Sequence, residues 1–491
     1  MAGLDRRTLL AAAAFAAAAT TLRGQAAATD DARRPVDIDS GDSMALARHV
    51  SLAPLDTVPA EALRMARLSI LDAIGVSMAA AGDEPACKPF LEQAFEEGAG
   101  GPAVVLGTGR RSSIGLAALA NGALAHALDY EDAHDPSRTH PNAAPVAAAV
   151  ALASARRGIS GRDFLMAVAL GADVACRSSM AQGNVDVLPK AFYPPAIAGT
   201  MGATATAARL LALTPAQTLD AFSIALCQNA TSAEILSDAY SDLRAVRDGF
   251  SAQVAVQAAQ LARRGVKGFA RPFEGERAFF AMYADGRQQP GVLTAQLGQR
   301  YEGQFVGYKA WPACRDNHPY IQAVLEGQGR DRLDPAQIDA LHAWVPRRSL
   351  IVCEPRAEKR RPRAAIDAKF SLYFTVAHTL LHGAPGLASY GPASLGDPAT
   401  LALAARVDYT VDTGPALLEV RLKDGSRRLW NIDGLYGSPE NPMDEQALVA
   451  KFIDCALASP RRLPAAKAAP LAQQLLRIDG HADLQPLLRQ L

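Results

Sequence analysis

The chain lacks the short signatures that settle chemistry at a glance. None of its six cysteines, Cys87, Cys176, Cys227, Cys314, Cys353 and Cys455, stands in a CxxC pair, which excludes zinc-ribbon and thioredoxin-type sites. HExxH is absent too, and no histidine spacing matches a common zinc motif. Aromatic residues are scarce, at 6%. Charge of one sign is lacking: 50 lysines and arginines face 50 aspartates and glutamates. A neutral chain has no global field to draw it to nucleic acid or to an anionic membrane. The cysteines are expected as mostly buried free thiols, since a chain with this much core needs no disulfide staple.

What is present is apolar and rich in alanine. With 491 residues, 49% of them hydrophobic, the chain has material for two or three domains. Its alanine-rich stretches point to closely packed helices, because alanine has the highest helix propensity. The N-terminus reads as a targeting segment. Arg6-Arg7 precedes an apolar run from Leu9 to Ala19, and Ala26-Ala27-Ala28 offers small residues for cleavage. That order matches a Tat-type export signal over residues 1–28. Eleven apolar residues fall short of the ~20 needed to span a bilayer. A periplasmic or secreted protein is expected, with no membrane contact after signal removal.

From about residue 43 to 285 the pattern is helical, with apolar residues near 3.6-residue spacing. Helices are expected over 59–73, 112–127, 145–155, 161–177, 199–211, 215–227 and 249–264, the last ending at a C-cap glycine, Gly265. After residue 300 the texture changes. Segments 340–352 and 406–411 look like strands, and 417–422 with 427–432 reads as a hairpin whose Asp424-Gly425 suits a tight primed turn. Helices are expected near 319–325 and 368–381, and again over 444–456. The fold class is thus mainly α: a large all-helical domain (43–300 with 436–470) and a smaller α+β lid domain (301–435).

Several ordered motifs carry a family resemblance. They are Leu71-Asp72-Ala73-Ile74-Gly75-Val76, the run from Asn121 to Asp132, and Gly199-Thr200-Met201-Gly202-Ala203. Gly307-Tyr308-Lys309-Ala310-Trp311-Pro312-Ala313-Cys314 with His318, and Ala368-Lys369-Phe370-Ser371, complete the set. Together these resemble the MmgE/PrpD family, which includes 2-methylcitrate dehydratases and cis-aconitate decarboxylases. The resemblance implies a helical domain and a lid with the site between them, usually in a homodimer. It also implies cofactor-free lyase chemistry on a small di- or tricarboxylate.

That chemistry needs a base or acid near neutrality, cations for the carboxylates, and a proton donor. The resemblance places Asp129 and His140 at site positions, Lys309 where it would grip a carboxylate, and His318, Lys369 and Cys314 nearby. Histidine titrates near neutrality, and a carboxylate beside His140 is expected to raise its pKa. The inner residues depart from the family pattern. Ala133 stands for a threonine, Tyr193 for a histidine, Arg244 and Arg247 for a lysine and a histidine, and Phe374 (beside Tyr373) for a tyrosine. Arginine keeps the positive charge as a planar fork and cannot serve as a base. Tyrosine exchanges a near-neutral acid for a phenol with a reference pKa of about 10. Arg244 and Arg247 are therefore expected to bind carboxylate, and Tyr193 with His140 to flank the substrate.

Three other readings compete. A metal enzyme would draw on His126, Asp129, Glu131, Asp132, His134 and His140, or on His378 and His382; no metal is expected. A non-catalytic periplasmic carboxylate binder would keep the cations and lose the proton chemistry. An isomerase or epimerase would remove and return a proton without losing a group. The basic stretch from Arg356 to Arg363 reads as a solvated loop.

Overall fold

The computed structural model describes residues 40–183, 191–236 and 241–491; the leader expected over residues 1–28 lies outside them. Asp42 to Leu491 forms one compact unit. It is mostly helical with a small sheet.

The main core is built from helices whose small residues let backbones approach. It runs from Leu46 to Tyr308 and resumes from Met443 to the final Leu491. The expected helical domain ended at 470, but Leu475, Ile478, Leu484 and Leu488 are also buried in this core. The Ala60–Asp83 helix packs against the Glu445–Ala458 helix, bringing an early and a late segment of the described chain together. Ala60–Gly82 is long and apolar enough to cross a membrane, but most of it is buried inside the protein. The "all-helical" expectation needs one correction: strands β1 (Ala103–Val105) and β2 (Arg110–Ser112) pair antiparallel within this part.

One crossing sets up everything that follows. The Ile114–Ala127 helix, capped by Ser113, crosses the Leu243–Arg263 helix at Gly122 and Gly249. A Cβ at Gly122 would fall 2.4 Å from the Asp248 carbonyl oxygen, and one at Gly249 2.5 Å from that of Leu119. Only glycine permits so close an approach. The crossing brings His126, near the end of the first helix, beside Arg247 and Asp248 in the second.

The second core spans Cys314 to Trp430. It covers one face of a four-stranded sheet of β3 (Ile338–Val345), β4 (Val407–Val411), β5 (Leu417–Leu422) and β6 (Arg427–Asn431), in the order β4-β3-β5-β6. β3 runs parallel to β4 and antiparallel to β5. The expected strand 340–352 is shorter, because Pro346 ends it and a 3₁₀ turn occupies Arg347–Val352. The expected hairpin is present, but its turn is not a two-residue primed one. Gly425 N–H donates to the Leu422 carbonyl, Leu422 N–H to that of Ser426, and only Gly425 in this loop has positive φ (+82°). That is a three-residue loop with a glycine bulge. The expected helix 368–381 breaks into Ala365–Lys369 and Leu372–His382, with the Ser371 side chain capping the second. Lys369 therefore ends a helix and is not in the middle of one.

The basic stretch is only in part a solvated loop: Arg361 and Arg363 are exposed beyond the end of a helix. Arg356–Arg360 is a short helix laid against the sheet, with Arg360 donating to the Val407 carbonyl at 2.7 Å and lying over the Tyr373 ring. All six cysteines are free, and all but Cys227 are buried.

Candidate active site

The site grows from the turn after the Ile114–Ala127 helix. Asp129 adopts a left-handed conformation (φ +50°), which short polar residues tolerate better than most. The chain reverses there and pairs with the segment before Lys309: Ala133 N–H donates to the Gly307 carbonyl at 2.9 Å, and Gly307 N–H to that of Ala133 at 2.8 Å. The pairing brings Lys309 onto Asp129. Lys309 Nζ donates to the Asp129 carboxylate and, at 3.1 Å, to its carbonyl oxygen; Glu131 Oε2 lies 3.9 Å away. All three side chains are buried. Burial alone would push the Asp129 carboxyl upward, but the Lys309 ammonium holds it far below the ordinary carboxylate range.

Two imidazoles face this ion pair, their centroids 5.2 Å apart. His126 Nδ1 contacts Glu131 Oε1 and lies 3.9 Å from Asp248 Oδ2. His140 Nδ1 is 2.7 Å from the Asp132 carbonyl oxygen, which can only accept, so Nδ1 carries the hydrogen and Nε2 the lone pair. Here two expectations are corrected. The carboxylate beside His140 is Glu131, at 3.4 Å, while Asp129 is taken by Lys309. His140 is also not raised in pKa. Burial first, then repulsion from Lys309, lowers it to about 3 despite the pull of Glu131. His126 is lowered well below the ordinary value by burial and by Arg247. Both rings are neutral at pH 7.

Further cations close over this group from both cores. Arg244 and Arg247 are buried. They begin the Leu243–Arg263 helix, where the helix dipole disfavours cations, and aromatic faces hold them. Arg244 lies 3.7 Å from the Phe370 ring centroid and Arg247 4.8 Å from that of Tyr193. Arg247 Nη2 reaches within 3.5 Å of His126 Nδ1. The Nε atoms of both arginines are buried without a hydrogen-bond partner among the described residues. Lys369 Nζ lies 3.3 Å from Glu84 Oε2 and 3.3 Å from the Ala127 carbonyl oxygen. Arg244 also lines a cleft together with Ile235, Ser241, Lys359, Asp367 and Phe370.

Residues 44–290 match the MmgE/PrpD N-terminal domain, and residues 311–473 the MmgE/PrpD C-terminal domain. The chain belongs to the MmgE/PrpD family. Its similar relatives include cis-aconitate decarboxylase from Homo sapiens, 27% identical over 68% of this chain and 71% of that one. Another is the cis-aconitate decarboxylase-like protein oryM of Aspergillus oryzae, 26% identical over 72% and 76%. Cis-aconitate decarboxylase from Aspergillus terreus strain NIH 2624 is 23% identical over 92% of this chain and 96% of its own. These relatives support a lyase-type enzyme.

Within this MmgE/PrpD chain the expected residues divide. Asp129, His140, Lys309 and Arg247 meet in one buried cluster, with Tyr193 stacked beneath Arg247, and Arg244 and Lys369 at its margin. His318 stands behind the site: its Nε2 bonds the Ala313 carbonyl at 3.1 Å and its ring packs on Trp311. Its placement makes it a support for the Lys309–Cys314 segment and not a substrate ligand. Phe374 packs against His378 and Tyr390, in the apolar cluster with Trp311. His134 turns away to Ser137, and Asp132 is bound by Asn142.

Sequence reasoning gave Glu131 and His126 no role outside a metal site, although both lie in the quoted Asn121–Asp132 run. Tyr390 had no signal at all. Its hydroxyl is buried without a hydrogen-bond partner among the described residues, and the Lys369 ammonium lies 5.8 Å from its ring centroid. Ligand atoms of His126, Asp129, Glu131 and His140 lie within 4.8 Å of one another, a donor set of two nitrogens and two oxygens that suits a divalent cation. In this fold the Lys309 ammonium already supplies positive charge to both carboxylates.

Proposed function

We propose that this protein is a lyase that binds a small tricarboxylate or dicarboxylate in the cleft and removes carbon dioxide from it by side-chain acid/base chemistry. The single observation that carries this reading is the meeting of Lys309 and Arg247 with two neutral imidazoles, with Arg244 and Lys369 at the margin of the same cluster. Four cations suit a substrate with two or three carboxylates, and the guanidinium forks suit bidentate contact.

The chemistry follows from charge. When the bond to the leaving carboxylate breaks, its electron pair moves into the conjugated chain, and the cations hold the charge on a retained carboxylate. A proton must then reach carbon. His140 is neutral in the free protein because burial and Lys309 disfavour its cation. Substrate carboxylates counter Lys309, so His140 takes up a proton as the acid binds and becomes the donor. Elimination of water from a hydroxy acid would use the same residues in the opposite sense, with neutral His140 Nε2 as base and no proton uptake. The decarboxylase relatives favour the first course.

The decisive experiment incubates purified protein with cis-aconitate and with hydroxy tricarboxylates, following carbon dioxide release and products by NMR. Turnover with carbon dioxide release is expected for the unsaturated acid. If none of the acids is turned over and calorimetry detects no binding, the reading fails. Two further expectations belong to it: a homodimer, checked by light scattering, and export through the twin-arginine leader, checked by fractionating cells that express the full chain.

A further inference from the structure

One buried cation plays no part in the chemistry above, and its contacts are unusually specific. Lys451 lies on the Glu445–Ala458 helix, far along the chain from the site residues. Its Nζ is 2.7 Å from Asp72 Oδ1, 2.6 Å from the Tyr130 carbonyl oxygen and 2.9 Å from the Lys309 carbonyl oxygen. An ammonium has three N–H donors, and three acceptors surround this one. The Tyr130 ring covers the remaining side at 3.8 Å. These three acceptors and the Tyr130 ring enclose the ammonium and leave it no open side for substrate.

The two carbonyls it grips are the informative part. Tyr130 stands between Asp129 and Glu131, and Lys309 is the partner of both. Lys451 thus fastens together, from behind, the two backbone segments whose side chains form the ion pair in front. The Ala133–Gly307 pairing joins the same segments further along and Lys309 Nζ reaches the Asp129 carbonyl from the front; Lys451 adds the tie behind, at the Tyr130 carbonyl next to the left-handed Asp129. Asp72 in turn anchors Lys451 to the Ala60–Asp83 helix.

We propose that Lys451, with Asp72 as its anchor, is a positioning residue that sets the Asp129–Lys309–Glu131 geometry for catalysis. The inference rests on the lyase reading for its activity test alone. Lys451→Met removes the ammonium, and a misplacement of about 1 Å in such a site lowers turnover by about 100-fold. The single variant also leaves Asp72 buried and unpaired, which destabilises the fold by itself. The test therefore includes Lys451→Met with Asp72→Leu, which removes both charges. The double variant is expected to regain most of the lost melting temperature while kcat stays at least about 30-fold down and KM moves by less than about 3-fold. In the substrate-free double variant, NMR titration of the His140 ring is expected to shift up toward the ordinary value of about 6.5, because Lys309 is no longer held in place. Recovery of kcat along with melting temperature, or an unmoved His140 titration, would overturn the assignment. If the wild-type protein turns over none of the acids, the lyase reading falls, and the His140 titration alone decides the positioning role.

Discussion

Replacing Lys309 by methionine tests the electrostatic core of the site most directly. The side chain keeps its approximate length and loses one buried positive charge. Lys309 Nζ lies 3.9 Å from Glu131 Oε2 and bonds the Asp129 carboxylate. At about 4 Å and an effective dielectric of about 20, each such pair interacts by about 4 kcal/mol before desolvation is counted. The net cost of orphaning a buried partner is about 3–5 kcal/mol. That cost depends on pH, and the sign can be worked out. In the wild type, Asp129 has a lowered pKa, so its contribution is present above the unfolded value of about 3.9 and is lost only in strong acid. In the variant, burial acts without Lys309, and the folded pKa moves above the unfolded one. Stability from that group is then present at low pH and lost as pH rises through the folded value. The wild-type minus variant difference should grow by about 1.4 kcal/mol per pH unit from the unfolded value of about 3.9 up to the variant's raised folded value, and level off above it. Urea unfolding at pH 5, 6.5 and 8, read by tryptophan fluorescence, measures it. A difference below about 1 kcal/mol, or one constant across these pH values, would refute the buried ion-pair reasoning.

The other predictions concern protons and forks. Binding of a tricarboxylate at pH 7 should take up close to one proton, measured by calorimetry in buffers of different ionisation enthalpy; release of a proton, or none exchanged, would exclude His140 as the acid. Arg247→Lys keeps charge but loses the planar fork and the stack on Tyr193, and should raise KM by about 10-fold, corresponding to about 1.4 kcal/mol, with a smaller effect on kcat; an unchanged KM would remove Arg247 from substrate contact. Overall stability should peak between about pH 6 and 7. Five histidines (His126, His134, His140, His318 and His378) are lowered by burial, so their stability is present above the unfolded value of about 6.5 and is lost on acidification. Asp132 and Asp248 are raised by burial to about 8 and about 6, so their contribution is lost as pH rises through those values. A melting temperature still rising above pH 8, or flat down to pH 5, would contradict this balance.

The fold was largely legible because its determinants are local. Alanine-rich helical spacing marked the body, and Asp424-Gly425 marked the turn between β5 and β6. The errors have local causes as well. Pro346 truncated β3, and the Ser371 cap split one expected helix in two. Where tertiary contacts decide, the residues themselves gave no warning. The close approach at Gly122 and Gly249 requires two glycines from separate helices, and neither is informative alone. Tyr390 and Lys451 reach the site from segments that carried no candidate residue.

Proton affinity was the least legible property. A histidine near carboxylates reads from sequence as one with a raised pKa, because charge neighbours can be guessed and burial cannot. In the fold, His140 has Glu131 at 3.4 Å, yet desolvation and Lys309 prevail. The departures from the family pattern fit the same balance of burial and positive charge. Arg247 repels the His126 cation, as another base in its place would not when neutral, and so helps keep that imidazole uncharged. On the proposed reading the inner residues act as one electrostatic unit: burial, aided by the cations that would hold the substrate, keeps the imidazoles neutral, and an arriving polycarboxylate would counter those cations. Under that proposal substrate binding is coupled to protonation of His140, which is why the proton count on binding, more than any single substitution, separates a decarboxylase from a dehydratase here.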